Sequence, residues 1–401
     1  VGAGPLKPLP LGVYLHFPWC VRKCPYCDFN SFTLRESLPE DAYIEALLAD
    51  LAAQCEALAG REVASVFLGG GTPSLFSPAA IGRVLERLAA LLPLAPDVEV
   101  TLEANPATIE RGRFAAYRVA GINRVSLGAQ TFDPAALAAL GRIHSPADVY
   151  RSVDELRACG LDNFNLDLMF ALPGQTVDAA LEDLGLALSL EPAHLSHYQL
   201  TLEPGTVFAG RPPVLPSEDD AWAMQQACHA RLADAGFQHY EVSAFARPGH
   251  RCRHNLNYWA FGDYLGAGAG AHGKLTGLSP FTITRTTLPR EPRRYLANPQ
   301  GGLVRQTVPA EDRCFEFMLN SLRLVDGFTY DQFESRTGLP RVPWLAPLQA
   351  LAERGLMALG TTGACATPRG QQYLNEVVAA FLPDATQTSR DVHTTRPLDN
   401  N

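Results

Sequence analysis

No run in the 401 residues approaches the roughly 20 consecutive apolar side chains that a membrane-spanning helix needs. The amino terminus, which begins at Val1 without Met, lacks the basic-then-apolar plan of a secretory signal, so the cytoplasm is the expected compartment. Nine cysteines, an odd number scattered over a long chain, do not make a disulfide framework and suit a reducing environment. The net charge is −9, and Lys and Arg do not gather into a long stripe, so nucleic acid is not an expected partner. The sequence has no internal repeat beyond an alternation of strands and helices. What remains, 47% hydrophobic and 19% charged residues, is a soluble globular composition with room for more than one domain.

Short apolar or alternating runs of strand length fall at Val13–Phe17, Val63–Leu68, Val98–Glu103, Arg124–Leu127, Phe164–Met169 and Leu195–Leu200. Helical segments at Asp41–Leu58, Pro78–Leu92, Ile109–Ala120, Pro146–Cys159 and Val177–Leu190 separate them, which predicts repeated βα units around a parallel sheet. Ser77-Pro78 and Ser145-Pro146 place a capping hydroxyl before a Pro at the first helical position, and Ser217 to Asp220 resembles a capping box. Periodicity alone does not choose between a partial barrel and an open doubly wound sheet. Beyond a Pro- and Gly-rich stretch (203–216), the pattern predicts a helix at Asp219–Ala235, a strand around Tyr240–Ala244 and a loop-rich segment to about Pro292. Residues 1–10 read as an N-terminal extension and 11–292 as the core. Residues 293–383 read as a small, mostly helical C-terminal domain, with helices at Glu311–Leu324, Tyr330–Thr337 and Gln371–Phe381. Residues 384–401 read as a disordered tail.

The most informative local feature is Cys20-Val-Arg-Lys-Cys24-Pro-Tyr-Cys27, directly after the first strand. Three thiolates at this spacing can hold a four-iron cluster and leave one iron open. A zinc ribbon would need paired knuckles and a fourth ligand, and the next Cys is Cys55, inside a helical segment. The second strand ends in Gly69-Gly-Gly-Thr-Pro73, where missing Cβ atoms let backbone groups approach a small polar ligand. Glu103 ends the third strand, Gln130 lies just past the fourth, and Asp167 alternates with apolar neighbours on the fifth, all near one rim; taken singly, each also reads as a residue capping a neighbouring helix.

The CxxxCxxC pattern resembles that of the radical S-adenosylmethionine (SAM) superfamily. The resemblance implies a partial (β/α)6 barrel with its site at the carboxyl ends of the strands. It also implies a 4Fe-4S cluster on Cys20, Cys24 and Cys27, with SAM chelating the open iron. Within that superfamily the chain is similar to the coproporphyrinogen III dehydrogenase group. On that similarity Tyr14, Gly70, Gly71, Thr72, Glu103, Gln130, Arg142 and Asp167 fall at SAM-contacting positions, Arg142 as a forked partner for the methionyl carboxylate. Tyr26 either stacks on the adenine or shields the cluster.

Tyr14 to Cys20, Leu102 to Pro106, Ser126 to Gln130 and Asp167 to Gly174 together resemble a heme-chaperone branch of this group. The discriminating element is His254-Asn-Leu-Asn-Tyr258-Trp259, which matches an HNxxYW motif implicated in heme binding there. The dehydrogenases carry a CxxxCxxCxC loop, and Phe29 stands here at the position of the last Cys. The resemblance implies heme held at the His254 motif; by their chemistry His254, or Cys252 two residues before it, is the candidate iron ligand, Tyr258 and Trp259 can cover the macrocycle, and Arg247, Arg251 and Arg253 are candidate partners for the propionates. It implies delivery of heme to recipient hemoproteins such as respiratory enzymes at the membrane, and homodimerisation as known in the family. There is no CxxCH for covalent attachment. The competing reading is radical decarboxylation of coproporphyrinogen III within porphyrin biosynthesis; a third is a radical SAM enzyme acting on something other than a tetrapyrrole. Gly268 to Gly273 matches GxGxxG, but Gly277 and Pro280 follow too soon for a nucleotide-binding helix, so it reads as tight backbone near the site, with His272 an unassigned polar contact.

Overall fold

The computed structural model describes residues 9–106 and 112–383, so the expected disordered tail and most of the N-terminal extension lie outside the described residues. Six strands, β1 (Leu11–Phe17), β2 (Val63–Gly70), β3 (Leu94–Ala104), β4 (Arg124–Gln130), β5 (Phe164–Phe170) and β6 (His194–Gln199), pair in sequence order and run parallel. Between them lie α1 (Glu40–Cys55), α2 (Pro78–Leu91), α3 (Phe114–Val119), α4 (Pro134–Ala139), α5 (Pro146–Ala158) and α6 (Val177–Ser189). This is the partial (β/α)6 barrel that the resemblance implied.

The barrel is extended at both edges. After β6 come α7 (Val207–Gly210), α8 (Glu218–Asp234), β7 (Gln238–Glu241), β8 (Ala244–Ala246), α9 (Arg253–Trp259), β9 (Asp263–Ala267), β10 (His272–Leu278), β11 (Phe281–Thr287), α10 (Pro292–Ala297) and β12 (Val304–Thr307). The twelve strands lie in the order β12-β11-β10-β9-β1-β2-β3-β4-β5-β6-β8-β7, so the sheet stays open. β9 pairs parallel to β1, while β10 to β12 and the β8–β7 hairpin are antiparallel.

The two faces of the six parallel strands differ in kind. Leu11, Val13, Leu15, Phe17, Val66, Leu68, Val100, Leu102, Val125, Leu127, Leu166, Leu168 and Leu195 point to the helices and form one large core with them. The alternate positions, including Tyr14, His16, Ser65, Glu99, Thr101, Glu103, Arg124, Ser126, Asn165, Asp167, His194 and Ser196, line a polar concave face. The caps behave as their sequences predict: Ser77 Oγ accepts from Ala80 N, Ser145 and Asp148 form a capping box, and Ser217 Oγ accepts from Asp220 N.

Where the structure departs from the sequence reading, distant partners explain it. The strand around Tyr240 is a hairpin of two strands, β7 and β8. The helix expected over Ile109–Ala120 is described only from Phe114, since residues 107–111 lie outside the described residues. The segment read as loop to Pro292 holds α9 and three strands instead. The last helix is broken at Tyr373 into Pro368–Gln372 and Leu374–Ala379. A second core, with Cys314, Phe317, Met318, Phe328, Phe333, Leu348, Leu351 and Val377, unites the C-terminal helices and a small three-stranded sheet, and it reaches back to Phe261 and Ile283.

Candidate metal and cofactor site

β1 delivers the chain to the cysteine loop at the carboxyl end of the barrel. The loop is closed at its base, where Trp19–Cys20 pairs with Phe32–Thr33, and at its turn, where Cys27 N donates to Cys24 O (3.2 Å). Lys23 Nζ draws it together by donating to the carbonyls of Phe29 (2.9 Å) and Ser31 (3.1 Å). Cys20, Cys24 and Cys27 are free thiols, each partly buried. Burial pushes Cys20 up to about 11, with Cys27 and Cys24 adding to the rise, and burial raises Cys27 as well. A bound cation reverses that balance, because it supplies the positive charge that makes a buried thiolate favourable. Polar groups already face the sulfurs: Ser31 Oγ lies 3.7 Å from Cys27 Sγ, Arg142 Nη1 lies 3.6 Å from Cys24 Sγ, and Thr72 hydrogen-bonds Cys20. Hydrogen bonds of this kind tune thiolate ligands of iron–sulfur clusters. Among the described residues no three His, Cys, Asp or Glu groups sit close enough together for a single metal ion. Three thiols with a hydroxyl and a guanidinium already turned to their sulfurs are the donor set that the cluster implied by the resemblance would need.

The glycine-rich strand end is shaped by what lies beneath it. Gly70 has φ of +109°, and a Cβ there would fall 2.3 Å from the His16 ring. Gly71 N donates to Phe17 O and Thr72 N to Trp19 O, which fastens the tip of β2 to the start of the cysteine loop. A recess at this end is lined by Cys20, Cys24, Thr72, Asn105, Arg142 and His144. Glu103 accepts from Gly70 N (3.1 Å); burial, and then the charge of Asp167, pushes its carboxyl up to about 8. Asp167 is raised by burial although Ser126 Oγ (3.2 Å) and Asn165 Nδ2 (2.8 Å) donate to it. Gln130 holds a left-handed φ of +67°, unusual for a residue with a side chain. Arg142 donates to Asn105 Oδ1, Gly128 O and Cys24 Sγ, and its Nε has no partner among the described residues. Tyr14 donates to or accepts from His16 Nδ1 (2.9 Å), and Tyr26 packs beside Phe208 next to Leu140 and Met169.

Two residues on this rim carry weight that the sequence reading missed. Asn30 Nδ2 donates to Ala269 O and Arg290 O, both at 3.0 Å, and His16 Nε2 lies 2.9 Å from Asn30 O. The glycine stretch 268–273 is therefore a clamp: a Cβ on Gly270 would sit 2.0 Å from Asn30 Nδ2. Tyr43 OH and the buried Asp50 carboxylate hold the same stretch from α1 by accepting from Ala269 N and Gly268 N. His272 lies at its end, its Nδ1 3.5 Å from Thr287 Oγ1. His16 stood within the Tyr14 to Cys20 motif, while Asn30, three residues past Cys27, carried no signal in the sequence, and the partners of both lie far along the chain.

The opposite end of the barrel is closed by α9. Glu99 on β3, 8% exposed, accepts from Cys252 Sγ (3.5 Å), Arg253 N (3.1 Å) and His254 N (3.2 Å), and so holds the start of the helix. His254 is 1% exposed; its ring lies between Phe67 (5.0 Å) and Tyr258 (4.6 Å), with Tyr14 at 6.3 Å. Burial, then Arg124, pushes this imidazole down to about 3, so it is neutral. Nδ1 lies 3.0 Å from Ser65 Oγ, while His254 Nε2 and Trp259 Nε1 have no hydrogen-bond partner among the described residues. A neutral imidazole anchored through one nitrogen with the other unspent is the donor chemistry of a heme-iron ligand. Cys252 is a weaker fit, since burial pushes its thiol up to about 12 and it donates to Glu99. Arg251 pairs with Asp326 (2.9 Å), Arg253 with Asp97 (2.5 Å), and Arg247 lies over Phe237, so the three cations have protein partners.

Between the two ends runs a chain of hydrogen bonds inside the barrel. Asn165 joins Ser126 and Asp167 to His194 Nδ1 (2.6 Å); His194 Nε2 meets Tyr240 OH (2.8 Å), which accepts from Cys252 N (3.3 Å). Arg124, fully buried beside it, offsets Glu99 and Asp167.

The Radical SAM superfamily profile matches residues 14–187, and the HemN C-terminal domain profile matches residues 308–373. A protein of Escherichia coli (strain K12) named heme chaperone HemW is 45% identical over 377 residues, 94% of this chain and 99% of that one. The chain belongs to the HemW family. A HemW of Bacillus subtilis (strain 168) is 35% identical over 381 residues, 92% of this chain and 98% of its own length. Among solved structures, the coproporphyrinogen III oxidase HemN from Escherichia coli, a radical SAM enzyme, superposes with a TM-score of 0.79 over 93% of this chain and 90% of that one. At 24% identity that likeness shows a shared fold, including the partial barrel and the C-terminal domain. No helix among the described residues is long and apolar enough to cross a membrane. The cysteine loop and most of the expected SAM positions thus lie toward one end of the barrel and the HNxxYW motif toward the other, with Tyr14 between them, its ring 6.3 Å from that of His254.

Proposed function

We propose that this chain is a heme chaperone that carries a 4Fe-4S cluster on Cys20, Cys24 and Cys27, holds SAM at the rim above them, binds heme through α9, and hands heme to target hemoproteins such as respiratory enzymes. When bound, the cluster supplies an open iron for the methionyl group and a single electron. The chain's own residues do the rest. Thr72, Ser31 and Arg142 direct hydrogen bonds at the sulfurs. Gly70 and Gly71 open a backbone approach at the rim, and Glu103 and Asp167 supply carboxylates for the ammonium and hydroxyl groups of SAM, with Tyr14 and Gln130 flanking them. Glu103 is largely protonated near neutral pH in the empty rim, and an incoming ammonium draws it to the ionised state.

The observation that carries heme binding is α9, where one seven-residue helix holds two buried ring nitrogens, His254 Nε2 and Trp259 Nε1, that have no hydrogen-bond partner among the described residues. Buried polar groups in folded proteins are nearly all satisfied, so a pair left over on a recognised motif supports use in another state. Against coproporphyrinogen decarboxylation stands Phe29, half exposed on the cysteine loop where the dehydrogenases have a Cys. The deciding experiment incubates cluster-loaded protein anaerobically with coproporphyrinogen III, SAM and a strong reductant, and in parallel titrates it with heme. The chaperone reading expects unchanged porphyrinogen and saturable heme binding. Loss of two carboxyl groups from the porphyrinogen would establish the dehydrogenase instead.

A further inference from the structure

We infer that Ser65 and Glu99 are positioning residues that hold His254 in the floor of the barrel, so that this imidazole reaches heme iron only when α9 comes away from β2 and β3. The inference rests on the heme-binding reading above and adds to it the state in which the ligand is stored. A macrocycle needs open space around its axial ligand, and His254 has none: it is 1% exposed, with Phe67 on one side and the edge of Tyr258 on another. A Cβ on Gly12 would already touch its Cε1 at 3.5 Å, so the β1 side is closed too.

What keeps α9 in place is a small set of bonds. Seven residues are too short to be helical on their own. Ser65 Oγ fixes Nδ1, Glu99 takes three donors from Cys252 to His254, and Asn257 Nδ2 donates to Asp263 O (2.8 Å). The ion pair of Arg253 with Asp97 is exposed and adds little. Because the stored state excludes the ligand, the apparent heme affinity is the intrinsic one multiplied by the fraction of molecules in which α9 is released. Weakening the hold should therefore tighten binding. A residue that merely supported a preformed heme site would do the reverse.

The test titrates ferric heme, followed by its absorption spectrum, into wild type, Ser65→Ala, Glu99→Gln, His254→Ala and the double variant Ser65→Ala/His254→Ala. Amide exchange of residues 252–259 is measured on the heme-free proteins. Ser65→Ala is expected to bind about fivefold more tightly, the worth of one buried hydrogen bond, with faster exchange across α9. His254→Ala loses the axial-ligand spectrum, and the double variant gains nothing from Ser65→Ala. Glu99→Gln shifts both readouts in the same direction and carries the test if Ser65→Ala does not fold. Unchanged or weaker heme binding by both holding variants overturns the inference while leaving heme binding itself standing. A His254→Ala protein that binds heme as wild type does also overturns it, by removing His254 as the ligand. Wild type that binds no heme overturns the underlying reading together with the inference.

Discussion

The two ends of this barrel hold comparable sets of chemically capable side chains and treat them in opposite ways. At the carboxyl end, the thiols of Cys20, Cys24 and Cys27 stand partly open on a loop, with polar groups already turned toward their sulfurs. At the amino end, His254, Tyr258 and Trp259 are folded into a helix that stoppers the barrel, and the key imidazole is sealed. A presented site binds whatever arrives with the right chemistry. A stored site binds only after its cover moves, which adds a cost to each capture and lowers the cost of each release. On the proposed reading, in which heme is handed on, the second arrangement is the useful one.

The largest expected effect falls on the presented end alone. Replacing Cys24 with Ala should abolish iron binding after anaerobic reconstitution, as read by iron content and visible absorption, and leave heme titration unchanged; joint loss of both would show that the ends are not independent. Next, His254→Ala should weaken heme binding by about tenfold or more while iron content stays at the wild-type level. Gly70→Ala forces a Cβ to within 2.3 Å of the His16 ring at φ +109°, and should cost about 2 kcal/mol in denaturant unfolding. Its damage should appear in SAM binding and not in heme binding.

A smaller effect is pH-dependent. Because the folded protein raises Glu103 from 4.5 to about 8, it holds a proton that the unfolded chain releases, so stability falls as pH rises through that interval. Glu103→Gln should melt with wild type near pH 4 and a few degrees above it near pH 9, and a constant gap across pH would show that the carboxyl is not the source. The smallest effect is at the surface of the floor: Arg253→Ala removes an exposed pair with Asp97 and should change stability by no more than about 0.5 kcal/mol.

The contrast between the ends also decided how much could be read from the chain. The cysteine loop was legible because its parts are neighbours in sequence: the three thiols, the strand before them and Phe29 all lie within twenty residues. The rim was legible through strand order, since Glu103 and Gln130 stand at the ends of their strands, Asp167 lies mid-strand on the same polar face, and parallel strands bring such positions together. The floor was less so. The HNxxYW motif was legible, but its helix and its burial were not: the segment read as loop-rich because the residues that hold and bury His254, Glu99 and Ser65, lie 155 and 189 positions earlier. The polar lining of the barrel was hidden for a related reason. Asn165 and His194 are polar positions on separate strands, and only the assembled barrel brings them into one chain of hydrogen bonds reaching Tyr240, with Arg124 buried beside it. Arg142 was expected as a free fork for a carboxylate; the structure ties it to Asn105, Gly128 and Cys24, contacts that no spacing in the sequence announces.

Asn30 sets an order of events in the making of this protein. It fastens the cysteine loop to Ala269 and Arg290, carbonyls that lie 239 and 260 residues further along the chain. A ribosome that has just released the cysteines has yet to synthesise the residues that shape their loop, and contacts of such separation form late. The base of the loop closes locally, but the Asn30 clamp exists only once the polypeptide past Arg290 has emerged and folded. On the proposed reading a cluster would therefore be received by the finished loop late in biogenesis, and shortfalls in late folding should appear as iron-poor protein.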